Sequence, residues 1–152
     1  MRGYPGWFYP LLLLTVVVLF ATGGLLTPPM LDLRLEWEMP WRLGADQRIA
    51  VAALHAALSF LMFALLGALW SVHMRAGWRH RRHWRSGLGM VALLLCLMAS
   101  AIGIYYFGDE TAATASAVSH LAAGALTFLL FGYHAVIGYR HAVRHHHGRH
   151  HI

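Results

Sequence analysis

Twelve of the 152 residues are histidine, and their positions divide them into two groups. His80, His83, His141, His145, His146, His147, His150 and His151 lie among arginines in polar segments. His55, His73, His120 and His134 lie within, or at the ends of, long apolar runs. An imidazole in such a setting can ligate a transition metal, carry a proton or hydrogen-bond to a neighbouring helix. An ionisable side chain inside a membrane is costly and marks function by default. Spacing narrows the choice. His120 and His134 are fourteen residues apart, about 21 Å of helical rise and about −40° of rotation, so both face nearly one way. His55 and His73 are eighteen apart, about 27 Å and five full turns, which again returns to one face.

Other chemistries lack their residues. No nucleophile–base pair, phosphate-cradling loop or zinc signature is present, and no His-x-x-x-His pair lies in an apolar segment. The six acids (Asp32, Glu36, Glu38, Asp46, Asp109 and Glu110) all lie outside the apolar runs. No carboxylate is therefore placed at mid-depth, which argues against a proton-coupled transporter. The single cysteine, Cys96, excludes a disulfide framework and any iron–sulfur or zinc site built on several thiolates.

The elements that must hold these histidines follow from composition. The chain is 59% hydrophobic and 12% charged, with a mean hydropathy of +0.53. That charged share is about half the usual value for a soluble domain, which excludes a water-soluble fold, disorder and a coiled coil. A bilayer crossing needs about 20 mainly apolar residues. Four segments qualify, about 7–27, 49–72, 86–107 and 113–139. The first is too long for the apolar part of a signal peptide and reads as a retained helix. Pro28-Pro29 is expected to stop it, and Gly108-Asp109 to break the third from the fourth.

The fold expected is all-α, an integral membrane four-helix bundle of up-down topology over residues 1–140, with a His/Arg-rich tail over 141–152. Five arginines and no acid occupy residues 73–85, while Asp109 and Glu110 are the charges of 108–112. The positive-inside rule then puts both termini and the 73–85 loop in the cytoplasm. The pI of about 10.3 is explained by this loop asymmetry, so nucleic acid is not an expected partner and membrane lipid is.

In this topology the second and fourth helices run the same way. His55 lies about six residues into the second, and His120 about seven into the fourth, both roughly 9–11 Å below the outer end. Matching depth on two parallel helices is what a bis-imidazole haem requires, one nitrogen from each side of a flat ring. An inner pair, His73 with His134, is offset by four residues, about 6 Å, which helix tilt and a π-bulge can partly absorb. The expected cofactor is haem b, one or two per chain, with iron ligands His55 and His120, then His73 and His134. Gly23 and Gly103 lie near the depth of the outer site, where a missing side chain would admit the porphyrin; small-residue packing between helices is the other account of such glycines.

With these features the chain resembles the small four-helix b-type membrane cytochromes, namely bacterial cytochrome b561 and the cytochrome b subunits of formate dehydrogenase and nickel–iron hydrogenase. The resemblance rests on hydropathy, on the histidine register, on His83-Trp84-Arg85-Ser86-Gly87 opening the third helix, and on Ser119-His120 to Tyr133-His134 on the fourth. In the dehydrogenase-type subunits an inner ligand comes from the first helix, which here has no histidine. Two histidines on each of two helices are more similar to the cytochrome b of quinol–cytochrome c oxidoreductases. The resemblance implies a multi-pass protein of the bacterial inner membrane. It would pass electrons between a redox partner protein on the periplasmic side and the quinone pool, as a non-catalytic electron-transfer subunit that could belong to a larger complex. Two other readings use the same residues: a haem-free transporter or sensor of a transition metal, and a cofactor-free anchor that docks an oxidoreductase through the loop at 30–48.

Overall fold

The computed structural model describes residues 4–70 and 84–147, with Trp84 and residues 138–147 described by backbone only. It contains four long helices: α1 over Phe8–Leu35, α2 over Ala45–Leu69, α3 over Trp84–Tyr106 and α4 over Glu110–His147. All four are long and apolar enough to cross a membrane. The all-α, four-span, up-down architecture expected from hydropathy is therefore the one observed.

Four boundaries differ from expectation. Pro28-Pro29 does not stop α1, which continues to Leu35. Each proline removes one N–H from the helical ladder. The carbonyls left without a ladder donor are those of Gly24 and Leu25, four residues before each proline. Both prolines are buried against the bundle. The helix ends instead at Glu36, whose φ of 55° is left-handed; the N–H groups of Glu36 and Trp37 both turn back to the Leu31 carbonyl, which satisfies an otherwise orphaned acceptor.

α2 begins at Ala45, earlier than hydropathy alone places it. Polar Asp46, Gln47 and Arg48 form its first turn, where Gln47 accepts from the Gly44 N–H at 3.3 Å and Asp46 complements the helix dipole. α4 begins at Glu110 because Asp109 caps it, its carboxylate accepting from the Ala112 N–H at 2.7 Å. Its backbone remains helical through His147, so the helix continues into the segment expected as a tail.

Packing makes two antiparallel hairpins. α1 packs along α2, α3 packs along α4, and a smaller α1–α4 contact joins the pairs. Among the described residues, α2 makes no comparable contact with α3 or α4. Phe8, Leu12 and Leu65 form a buried cluster between α1 and α2. Phe20 and Phe128 meet edge to face at 4.7 Å, bridging α1 and α4. The α3–α4 seam is built on small residues, with Ser100, Ala113, Ala117, Ala123 and Thr127 all buried, as suits helices associating in lipid. Large apolar side chains such as Leu14, Leu54, Leu95 and Leu129 are exposed away from the cavity, and Trp7, Trp37, Trp41 and Trp70 are exposed at or near helix ends, the arrangement of an aromatic belt.

Candidate functional site

His55 and His120 occupy equivalent positions. Each lies ten residues beyond the first residue of its helix, Ala45 or Glu110, about 15 Å of rise. Their imidazole centres are 6.3 Å apart and the ring planes cross at 69°. Here an imidazole of α2 faces one of α4, and both rings line a cavity of about 3080 Å³ between the helices. Common small-molecule pockets are about 300–1,000 Å³, so the space is larger than an ordinary small ligand needs.

The hydrogen bonds of the two rings settle which nitrogen faces that space. His55 Nδ1 is 2.8 Å from Thr22 Oγ1 on α1. His120 Nδ1 is 2.9 Å from Ser100 Oγ and 3.1 Å from the Leu97 carbonyl, both on α3. A carbonyl only accepts, so His120 Nδ1 carries the proton. Thr22 already donates its one hydrogen to the Val18 carbonyl at 2.8 Å, and Ser100 donates to the Cys96 carbonyl at 2.8 Å. Each hydroxyl oxygen therefore accepts from a histidine Nδ1–H. Nε2 of both rings is then a lone-pair donor, the tautomer a metal ligand needs. No described hydrogen bond reaches either Nε2, and no buried side-chain nitrogen or oxygen among the described residues lacks a partner, so both Nε2 atoms open into the cavity.

The spacing fits an iron porphyrin. An imidazole nitrogen lies about 1.1 Å from its ring centre and a metal–imidazole bond is about 2 Å, so two imidazoles on opposite sides of one metal would have centres about 6.2 Å apart. The observed separation is 6.3 Å. Two imidazoles are only half of a four-ligand set for a bare ion, and no group of three or more His, Cys, Asp or Glu side chains converges among the described residues. A porphyrin supplies its own four nitrogens, so two protein ligands complete it.

The remaining expected residues fall as follows. His134 lines the same cavity, and its Nδ1 is 2.9 Å from Ser86 Oγ on α3. His73 lies outside the described residues. Gly23 lines the cavity beside His55, where a Cβ would stand 3.5 Å from the ring Cε1. Gly103 sits elsewhere: a Cβ there would collide with Ser116 Oγ and reach within 2.8 Å of Ser116 Cβ. It marks the close approach of α3 and α4, the small-residue packing that was the other account of it.

The hydroxyls of Thr22, Ser86 and Ser100 escaped the sequence reading. One signal was available. Ser86 and Ser100 are fourteen residues apart, as are His120 and His134, and antiparallel helices bring equal intervals together. Arg34 and Arg48 also escaped it. Both are half-buried cavity-lining residues beside the loop that joins α1 to α2.

The four apolar helices fit a small membrane cytochrome of the b type. Residues 34–145 match the model of the family described as eukaryotic cytochrome b561, and the chain belongs to that family. No curated protein and no solved structure matches it significantly. The family binds haem b and works in electron transfer, so the chain is a multi-pass, haem-binding electron carrier.

Proposed function

We propose that His55 and His120 are the two axial ligands of one haem b, and that the protein relays electrons through it between a redox partner protein and the quinone pool. The observation that carries this reading is the pair of imidazoles 6.3 Å apart, each with Nδ1 hydrogen-bonded away from the shared space. Bound haem supplies a one-electron couple at its iron. The chain's residues do the rest. His55 and His120 would hold the metal, Gly23 leaves room beside His55, and the apolar walls would keep water out, which raises the importance of every nearby dipole.

His134 is proposed as one ligand of an inner haem, with His73 as its partner. The loop at 36–44, with exposed Trp37 and Trp41, is the docking surface proposed for a periplasmic redox partner, alone or within a larger complex. Both termini are assigned to the cytoplasm by the arginine distribution. The bacterial inner-membrane location rests on the resemblance to the small bacterial cytochromes, while the matched family is described as eukaryotic.

The test is haem content. A pyridine haemochrome assay on the purified chain should give haem b, and His55→Ala or His120→Ala should remove the haem they share. Full haem retention in both variants would overturn the assignment. Zinc, copper or nickel in place of porphyrin would favour the metal-transport reading.

A further inference from the structure

We propose that Thr22 and Ser100 are positioning residues that set the orientation of the two axial imidazoles and, through it, the electronic character of the iron. The inference rests on the bis-histidine reading above and adds to it two residues that touch no cofactor atom.

The two hydroxyls form one device used twice. On α1, Thr22 Oγ1 contacts the carbonyls of Val18 and Leu19, at 2.8 and 3.1 Å, and His55 Nδ1 at 2.8 Å. On α3, Ser100 Oγ contacts the carbonyls of Cys96 and Leu97, at 2.8 and 3.1 Å, and His120 Nδ1 at 2.9 Å. In each case a hydroxyl four residues above its carbonyl acceptor is locked by its own helix, and the locked oxygen receives the imidazole proton. Thr22 and Ser100 are themselves 4% and 8% exposed, so water does not compete for these bonds. The Leu97 carbonyl, three residues before Ser100, is a second acceptor for the His120 ring at 3.1 Å.

Two consequences follow. First, each ring is fixed from outside the α2–α4 gap, by α1 for His55 and by α3 for His120, and the planes cross at 69°. Nearly perpendicular axial imidazoles leave the iron d orbitals close in energy and give a strongly anisotropic low-spin ferric spectrum; parallel rings give a rhombic one. Second, donation from Nδ1–H to an acceptor raises the basicity of the ligating nitrogen, which favours ferric over ferrous iron. Both hydroxyls therefore hold the potential down.

The experiment uses the full-length, haem-loaded protein with Thr22→Val, Ser100→Ala, the double variant, and the hydroxyl-keeping Thr22→Ser and Ser100→Thr. Potentiometric titration should move to more positive potential in Thr22→Val and Ser100→Ala, and further in the double variant. The largest ferric g value should fall as the rings lose their crossing. Haem affinity should weaken on the order of 10–100-fold. Thr22→Ser and Ser100→Thr should restore the wild-type potential and spectrum, which a loss of helix packing alone would not explain. Wild-type potential and g values in both Thr22→Val and Ser100→Ala would overturn the proposal, as would equal shifts in the hydroxyl-keeping variants. Failure of the bis-histidine reading shows separately, as haem retention in His55→Ala and His120→Ala.

Discussion

Ser100 Oγ on α3 lies 2.9 Å from His120 Nδ1 on α4, and the same relation recurs fourteen residues away, where Ser86 Oγ lies 2.9 Å from His134 Nδ1. The α3–α4 hairpin is thus a two-rung ladder whose rungs are about 21 Å apart along the helices. That distance spans most of a hydrocarbon core about 30 Å thick. One hairpin therefore presents an imidazole near each face of the membrane.

His134→Ala should leave the haem held by His55 and His120 intact, because the two rungs share no side chain. Its effect is expected on a second haem alone. Haem-to-protein stoichiometry and reduced absorbance, compared with wild type and with His120→Ala, check this. Loss of all haem in His134→Ala would contradict the separation.

Gly103→Ala should destabilise the α3–α4 seam by about 1–3 kcal/mol, the usual range for overpacking, since the new methyl meets Ser116 Oγ and Cβ. Gly24→Ala should be close to neutral, since no atom lies within 4 Å of its Cβ position. Gly89→Ala should fall between them, because the neighbour at 3.2 Å is the flexible end of Leu130. Thermal unfolding in detergent ranks the three.

Arg34→Ala and Arg48→Ala should each weaken haem retention without abolishing it. Both residues line the cavity beside the loop that joins α1 to α2, and the ion pair seen among the described residues joins Arg42 to Asp32 instead. Arg48 is seven residues before His55, about 10 Å along the same face, where a porphyrin's carboxylates could be met. A lysine at either position should rescue only partly, since guanidinium alone pairs bidentately. Haem off-rates measured by transfer to apomyoglobin read the effect.

Topology can be read with a membrane-impermeant thiol reagent in a Cys96→Ser background. Glu38→Cys, in the exposed loop after α1, should label in intact cells. Arg79→Cys should label only after permeabilisation, as the positive-inside assignment requires. The reverse pattern would invert the orientation and place the proposed docking loop in the cytoplasm.

Much of this was legible from residue order. Hydropathy and helical rise are local properties, so four spans and the common depth of His55 and His120 follow from counting. The extension of α1 past Pro28-Pro29 was not legible, because it goes with the burial of both prolines in the bundle, which residue order does not specify. The roles of Thr22, Ser86 and Ser100 depend on which faces of α1 and α3 meet the imidazoles, and no periodicity within one helix specifies that. Gly103 shows the same limit: its depth was readable, but the neighbour it faces was not.

The weak link between α2 and the α3–α4 pair gives biogenesis a distinct order. Two pre-formed halves, linked by a modest α1–α4 contact, would become one rigid body only when a shared centre bridges them. The supply of that centre, more than insertion into the bilayer, would then set how much protein escapes quality-control proteolysis, because a ligand that binds only the native state adds stability in proportion to the logarithm of its concentration over its dissociation constant.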